Sequence, residues 1–201
     1  MGRPSGGSVP DSPRRTTVNR LKQSPRAYAT ALVVSAAVFV TAPAGADNAE
    51  LAKYKAAEAT VKDHLVIFDT LDFDVYTHQK WDRFKESHAQ DILVHYPDGH
   101  TSKGLDKHIE ELKPMFVFAP DTRIEVHPVK FGSGEWTSVI GVLEGTFTKP
   151  MPVGGGKVIQ PTGKKFKLEM STVGHWKNGL MDEEYLFWDN QSFMKQIGLA
   201  Q

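Results

Sequence analysis

The sequence predicts an α+β fold in which a strongly bent antiparallel sheet packs on about three N-terminal helices. Three observations carry this prediction. The stretch from Asn48 to about Thr70 has no Gly or Pro and repeats apolar residues at helical spacing. From Thr122 onward, four segments rich in Val, Ile, Thr and aromatic residues follow one another, separated by turn sequences. The aromatic complement (four Trp, five Tyr and eleven Phe) is large enough to build a core or line a pocket.

In chain order, residues 1–46 stand apart. Arg3, Arg14, Arg15, Arg20, Lys22 and Arg26 face a single acid, Asp11, and precede an apolar run from Ala27 to Ala42. The run ends at Ala44-Gly45-Ala46, a small-x-small cleavage pattern. A basic region, a short apolar region and such a site predict a signal peptide cleaved after Ala46, hence a secreted or periplasmic protein. The apolar run is short for a membrane-spanning helix. No membrane attachment is expected of residues 47–201, which form one domain.

That domain begins with the predicted helix, whose stripe is Leu51, Tyr54, Val61, Leu65 and Phe68. A second helix is predicted from Val75 to Lys85, with Trp81 and Phe84 inward. A strand from Asp91 to Tyr96 stops at the turn Pro97-Asp98-Gly99. Leu105, Ile109 and Leu112 predict a third helix, ending near Lys113 ahead of Pro114. The predicted strands are 122–131, 136–148, 165–176 and 180–188. Gly132-Ser133-Gly134 and Asn178-Gly179 serve as hairpin turns, and a Pro/Gly-rich loop spans 149–163.

The whole chain is neutral, with 24 basic and 24 acidic residues. Removing the leader leaves 18 basic and 23 acidic residues, a formal charge of −5, together with all eight His. An acidic surface argues against nucleic acid as a partner. Without cysteine there is no disulfide, thiol nucleophile or thiolate metal site. Val158 stands where the first Gly of a phosphate loop would have to be, and there is no His-Glu-x-x-His or Gly-x-Ser-x-Gly motif.

Candidate chemistry concentrates in 173–189. With a two-residue turn at Asn178-Gly179, His175 pairs with Asp182, and His175, Asp182, Glu184 and Trp188 share a face. A three-residue turn instead brings His175 onto the face of Asp189. Either register sets an imidazole beside a carboxylate, the pair proton transfer requires. His175, Glu184 and Asp189 are therefore the candidate catalytic residues. His95 is a candidate cavity donor, and Trp136, Trp176 and Trp188 are candidate walls for a small apolar molecule. The His95-Tyr96-Pro97-Asp98-Gly99-His100 cluster lacks a convincing metal-ligand pattern, so no metal site is expected. His64, His88 and His108 lie among charged neighbours and are expected to be solvated.

Asn178-Gly179-Leu180-Met181, Glu184-Tyr185, Trp188-Asp189 and Met194-Lys195-Gln196-Ile197-Gly198-Leu199 resemble the closing pattern of SnoaL-like proteins. Tyr96-Pro97-Asp98-Gly99, Gly104, Ala119-Pro120-Asp121, Gly145-Thr146-Phe147 and Pro161-Thr162-Gly163-Lys164 are similar to that family's upstream landmarks, so the resemblance covers about 62–199. It implies the nuclear transport factor 2-like fold, a cone of curved sheet and three helices around an apolar pocket. It also implies the acid/base chemistry of the polyketide ester cyclases, carried by a carboxylate and a His without a cofactor. Asp189 and Glu184 resemble the family's terminal Asp and motif Glu, whereas Tyr185 and Leu180 depart from its usual Trp and Lys. Two readings remain open: a cofactor-free cyclase or isomerase acting on a small apolar carbonyl compound, and a non-catalytic protein holding such a molecule. A homodimer is compatible with either.

Overall fold

The computed structural model describes residues 44–200. Residues 1–43 of the expected leader lie outside the described residues. Among the described residues, no helix is long and apolar enough to cross a membrane.

Helix α1 runs Ala44–Thr70. Its predicted stripe is used only at the C-terminal end: Val61 and Phe68 are buried, while Leu51 and Tyr54 are exposed. The helix does not stop at Thr70 but widens into a π-helical turn, Leu71–Tyr76, which buries Leu71, Asp72, Val75 and Tyr76. The predicted second helix is only a 3₁₀ segment, Trp81–Glu86, burying Phe84. Strand β1 (His88–His95) and short β2 (Thr101–Lys103) follow. Helix α2 (Leu105–Phe118) continues past Pro114. The proline removes one helical hydrogen bond, but the turn beyond it buries Phe116 and Phe118, which favours continuation.

The predicted strand 122–131 is split in two, β3 (Arg123–Ile124) and β4 (Val129–Ser133). His127 and Pro128 interrupt it, because proline cannot donate to the ladder. Both halves pair antiparallel with the long strand β5 (Trp136–Thr146). The 149–163 loop contains a small hairpin, β6 (Met151–Pro152) and β7 (Val158–Ile159). Strands β8 (Lys165–Lys177) and β9 (Leu180–Phe187) complete the sheet, and a C-terminal helix, α3 (Asn190–Gln196), closes the chain.

The main sheet has the order β2-β1-β9-β8-β5-β3, with β4 also on β5. Every pairing is antiparallel except β1 with β9. Burial alternates along β8: Phe166, Leu168, Thr172, Gly174 and Trp176 are inward, Lys165, Lys167 and Glu169 outward. The inward face meets α1, the π turn and α2 in one apolar cluster that includes Phe68, Leu71, Val75, Phe116, Leu143 and Leu186. Mixed α+β architecture with a curved sheet thus holds as predicted.

Candidate active site

A cavity of about 300 Å³ opens between the π turn, α2, the inner sheet face and α3. Its walls are mainly apolar, from residues such as Leu71, Phe118, Leu143, Leu168, Met170 and Leu186. Polar side chains interrupt that lining, among them Asp72, Tyr76, His88, Tyr96, His108, Glu111 and Glu184. Two groups of them are built for acid/base or ligand chemistry.

The first group rests on the π turn. Asp72 lies four residues past Phe68, on the inward side of the helix, and the wider turn keeps it beside Leu71 and Tyr76. One Asp72 carboxylate oxygen accepts from His127 Nε2 at 2.8 Å, and His127 Nδ1 lies 2.8 Å from Asp69 Oδ1. Lys130 pairs with the other Asp69 oxygen. Burial raises the Asp72 carboxyl above its usual value, and His127 pulls the other way without cancelling it. Burial disfavours the His127 imidazolium, but the carboxylates of Asp72 and Asp69 more than offset this, so His127 holds its proton more firmly than usual. Burial also raises the Tyr76 hydroxyl, with the field of Asp72 adding to the shift, and keeps it a donor. An acid in an apolar wall, with raised proton affinity and a cationic partner behind it, is suited to accept and return a proton.

The second group rests on the last hairpin. Asn178 and Gly179 adopt positive φ (53° and 81°), the two-residue turn the sequence predicts, and Lys177 pairs with Leu180. The register then slips. Met181 pairs with Trp176 but Glu183, not Asp182, pairs with His175, so Asp182 is the extra residue of a β-bulge. The bulge resets the alternation and turns Glu184 inward, where it is 4% exposed. Glu184 Oε2 lies 3.4 Å from His108 Nε2 and 3.9 Å from His88 Nε2. Burial acts to raise the Glu184 carboxyl, but the two imidazoles outweigh it and hold it below its usual range. Burial lowers His108 to about 4.

The residues singled out from sequence are therefore dispersed. Glu184 and Trp188 line the cavity. His175 does bond Asp182, at 2.6 Å, but the bulge leaves that pair on the outer sheet face, apart from Glu184. Asp189 is exposed and caps α3, accepting from the backbone N–H groups of Gln191 and Ser192. His95 also faces outward, stacked on Tyr185 at 4.1 Å and bonded to Glu183 at 2.8 Å. Trp136 is exposed, packed near His175. Trp176 is fully buried away from the cavity lining, stacked on His64 and donating to Thr137 Oγ1.

His64, His88 and His108, expected in water, are all buried. The signal for His108 was present: it stands three residues past Leu105 and four before Leu112, on the apolar stripe of α2. Asp72 likewise continues the stripe of Phe68.

The SnoaL-like polyketide cyclase family model matches residues 69–197, which include both groups. No curated protein matches the chain. Several solved structures share its fold. A protein from Jannaschia sp. CCS1, named for SnoaL-like polyketide cyclases, is 17% identical with a TM-score of 0.60, over 70% of this chain and 95% of that one. IdmH from Streptomyces antibioticus, named for polyketide cyclases, is 18% identical with a TM-score of 0.58, over 67% and 98% of the two chains. An NTF2-like protein from Burkholderia pseudomallei is 16% identical with a TM-score of 0.54, over 68% and 98%. The fold is nuclear transport factor 2-like, and the chain belongs to the SnoaL-like polyketide cyclase family.

Proposed function

We propose that this protein is an acid/base enzyme of the cyclase or isomerase type, acting on a small apolar carbonyl compound held in the cavity. Membership of the family supports a cyclase- or isomerase-type activity. The observation that carries the finer reading is Asp72, a buried carboxyl of raised proton affinity facing an otherwise apolar cavity. In this reading Asp72 removes a proton from carbon next to the carbonyl group. Tyr76, kept protonated by burial, donates a hydrogen bond to the enolate oxygen. His127 and Asp69 position Asp72 and do not touch the substrate. The apolar wall excludes water, which strengthens both interactions.

The test is deuterium incorporation at the α-carbon of small aryl β-keto esters in D₂O, followed by NMR. The wild-type protein is expected to accelerate exchange on the order of 10²- to 10⁴-fold, a common size for positioned general-base catalysis. Asp72→Asn is expected to fall to the background rate while still binding the ester. Wild-type protein that binds these esters without accelerating exchange would instead support a non-catalytic holding role, to which the apolar wall is equally suited.

A further inference from the structure

We infer that His88, His108 and Glu184 form a binding site for one first-row divalent metal ion, opening into the cavity. The three ligand atoms lie within 4.8 Å of one another. Ligands about 2.1 Å from a tetrahedral ion sit roughly 3.4 Å apart. Glu184 Oε2 is 3.4 Å from His108 Nε2 and 3.9 Å from His88 Nε2, so an ion between them requires only small side-chain adjustments. Two imidazoles and one carboxylate make a ligand set used for zinc and for iron(II), with coordination positions left over.

The hydrogen bonding around the triad explains why these atoms await a partner. His88 Nδ1 lies 3.3 Å from the Phe84 carbonyl and 2.8 Å from Ser87 Oγ. The carbonyl can only accept, so a hydrogen on Nδ1 satisfies it and leaves Nε2 as the ring atom facing the cavity. That nitrogen faces Glu184 Oε2 at 3.9 Å. Among the described residues, neither atom has a hydrogen-bond partner, although His88 is 1% and Glu184 4% exposed. Two buried polar atoms without partners are costly, and a metal ion between them would satisfy both. On the other imidazole, Tyr96 Oη meets His108 Nδ1 at 2.9 Å, the outer hydrogen bond that orients a ligating His. His78, exposed and bonded only to Asp74, has none of these features.

The experiment uses the full chain, purified without a histidine tag, freed of metal with chelator and titrated with Co²⁺ and with Zn²⁺. The expected result is one equivalent of either ion, with visible Co²⁺ bands of a low-coordinate site. Glu184→Gln is expected to weaken binding at least 100-fold, and Tyr96→Phe about 10-fold, as loss of an outer partner does. His78→Gln is expected to bind like the wild type. Circular dichroism checks that each variant is folded. Should Glu184→Gln not fold, histidine ring NMR of the wild type decides: Zn²⁺ moves the His88 and His108 signals and leaves those of His78 and His175 in place. No stoichiometric uptake, unchanged affinity in folded Glu184→Gln, or shifts confined to other histidines would overturn the assignment. Because the readout is metal uptake, the result stands apart from the role proposed for Asp72.

Discussion

At the scale of single residues, burial has changed what the charged side chains do. Asp69, His127 and Asp72 form a continuous chain from the surface to the cavity, and the His127 side chain is only 1% exposed. Removing one partner from a buried charged set leaves the others uncompensated. His127→Gln is therefore expected to cost about 3 kcal/mol at pH 6. The pH dependence follows from the sign of the shift. The folded-state pKa of His127 is raised above 6.5, so its contribution is fully present below 6.5 and is lost as pH rises through the folded value. Urea unfolding of both proteins at pH 6 and pH 9 tests this. The difference between them should shrink at the higher pH, and a constant difference would rule out an imidazolium. None of this was visible in the linear sequence, because His127 is 55 residues from Asp72 and 58 from Asp69. Only the helical position of Asp72 hinted at its burial.

At the scale of elements, the last hairpin shows how far local rules reach. Asn178-Gly179 fixed the turn and the pairing of Lys177 with Leu180 as the sequence predicts. One extra residue, Asp182, then undid the face assignment for all that follows. A bulge depends on twist and on neighbouring strands, and it leaves no period-two mark in the chain. Close approach between elements is equally hidden. A Cβ added at Gly132 of β4 would lie 2.6 Å from the Trp136 backbone oxygen and 2.8 Å from Val61 of α1. At Gly174 of β8 it would meet the Met181 sulfur at 2.6 Å. A backbone carbonyl held in a hairpin cannot move aside, whereas a methionine end can choose another rotamer. Gly132→Ala is accordingly expected to cost about 2–3 kcal/mol and Gly174→Ala no more than about 1. Chemical denaturation measures both, and equal costs would mean that the hairpin carbonyl at Gly132 yields as readily as the methionine end at Gly174.

For the whole molecule, the order of helices and strands was legible because period and composition are local properties. The parallel contact of β1 with β9, which brings His88 opposite Met181, was not, since it joins distant segments. The same long-range closure buries His64 of α1 against Trp176 of β8, ring centroids 4.3 Å apart. His64 Nδ1 has no hydrogen-bond partner among the described residues. Burial lowers its pKa, although Asp63 acts in the opposite direction. A lowered folded-state pKa gives stability that is present above the unfolded value of 6.5 and lost as pH falls, because the unfolded chain takes up the proton first. Phenylalanine keeps the stacked ring and removes both the orphan nitrogen and the titration. His64→Phe is expected to be about 1 kcal/mol more stable than the wild type at pH 8, from the nitrogen alone. Its advantage should widen steadily as pH falls to 5, opposite in sign to the effect at His127. Melting temperatures of the two proteins between pH 8 and pH 5 provide the measurement. An advantage that stays flat or narrows would show that this ring reaches water in the folded protein, and that α1 is less tightly seated on the sheet than the stacking implies.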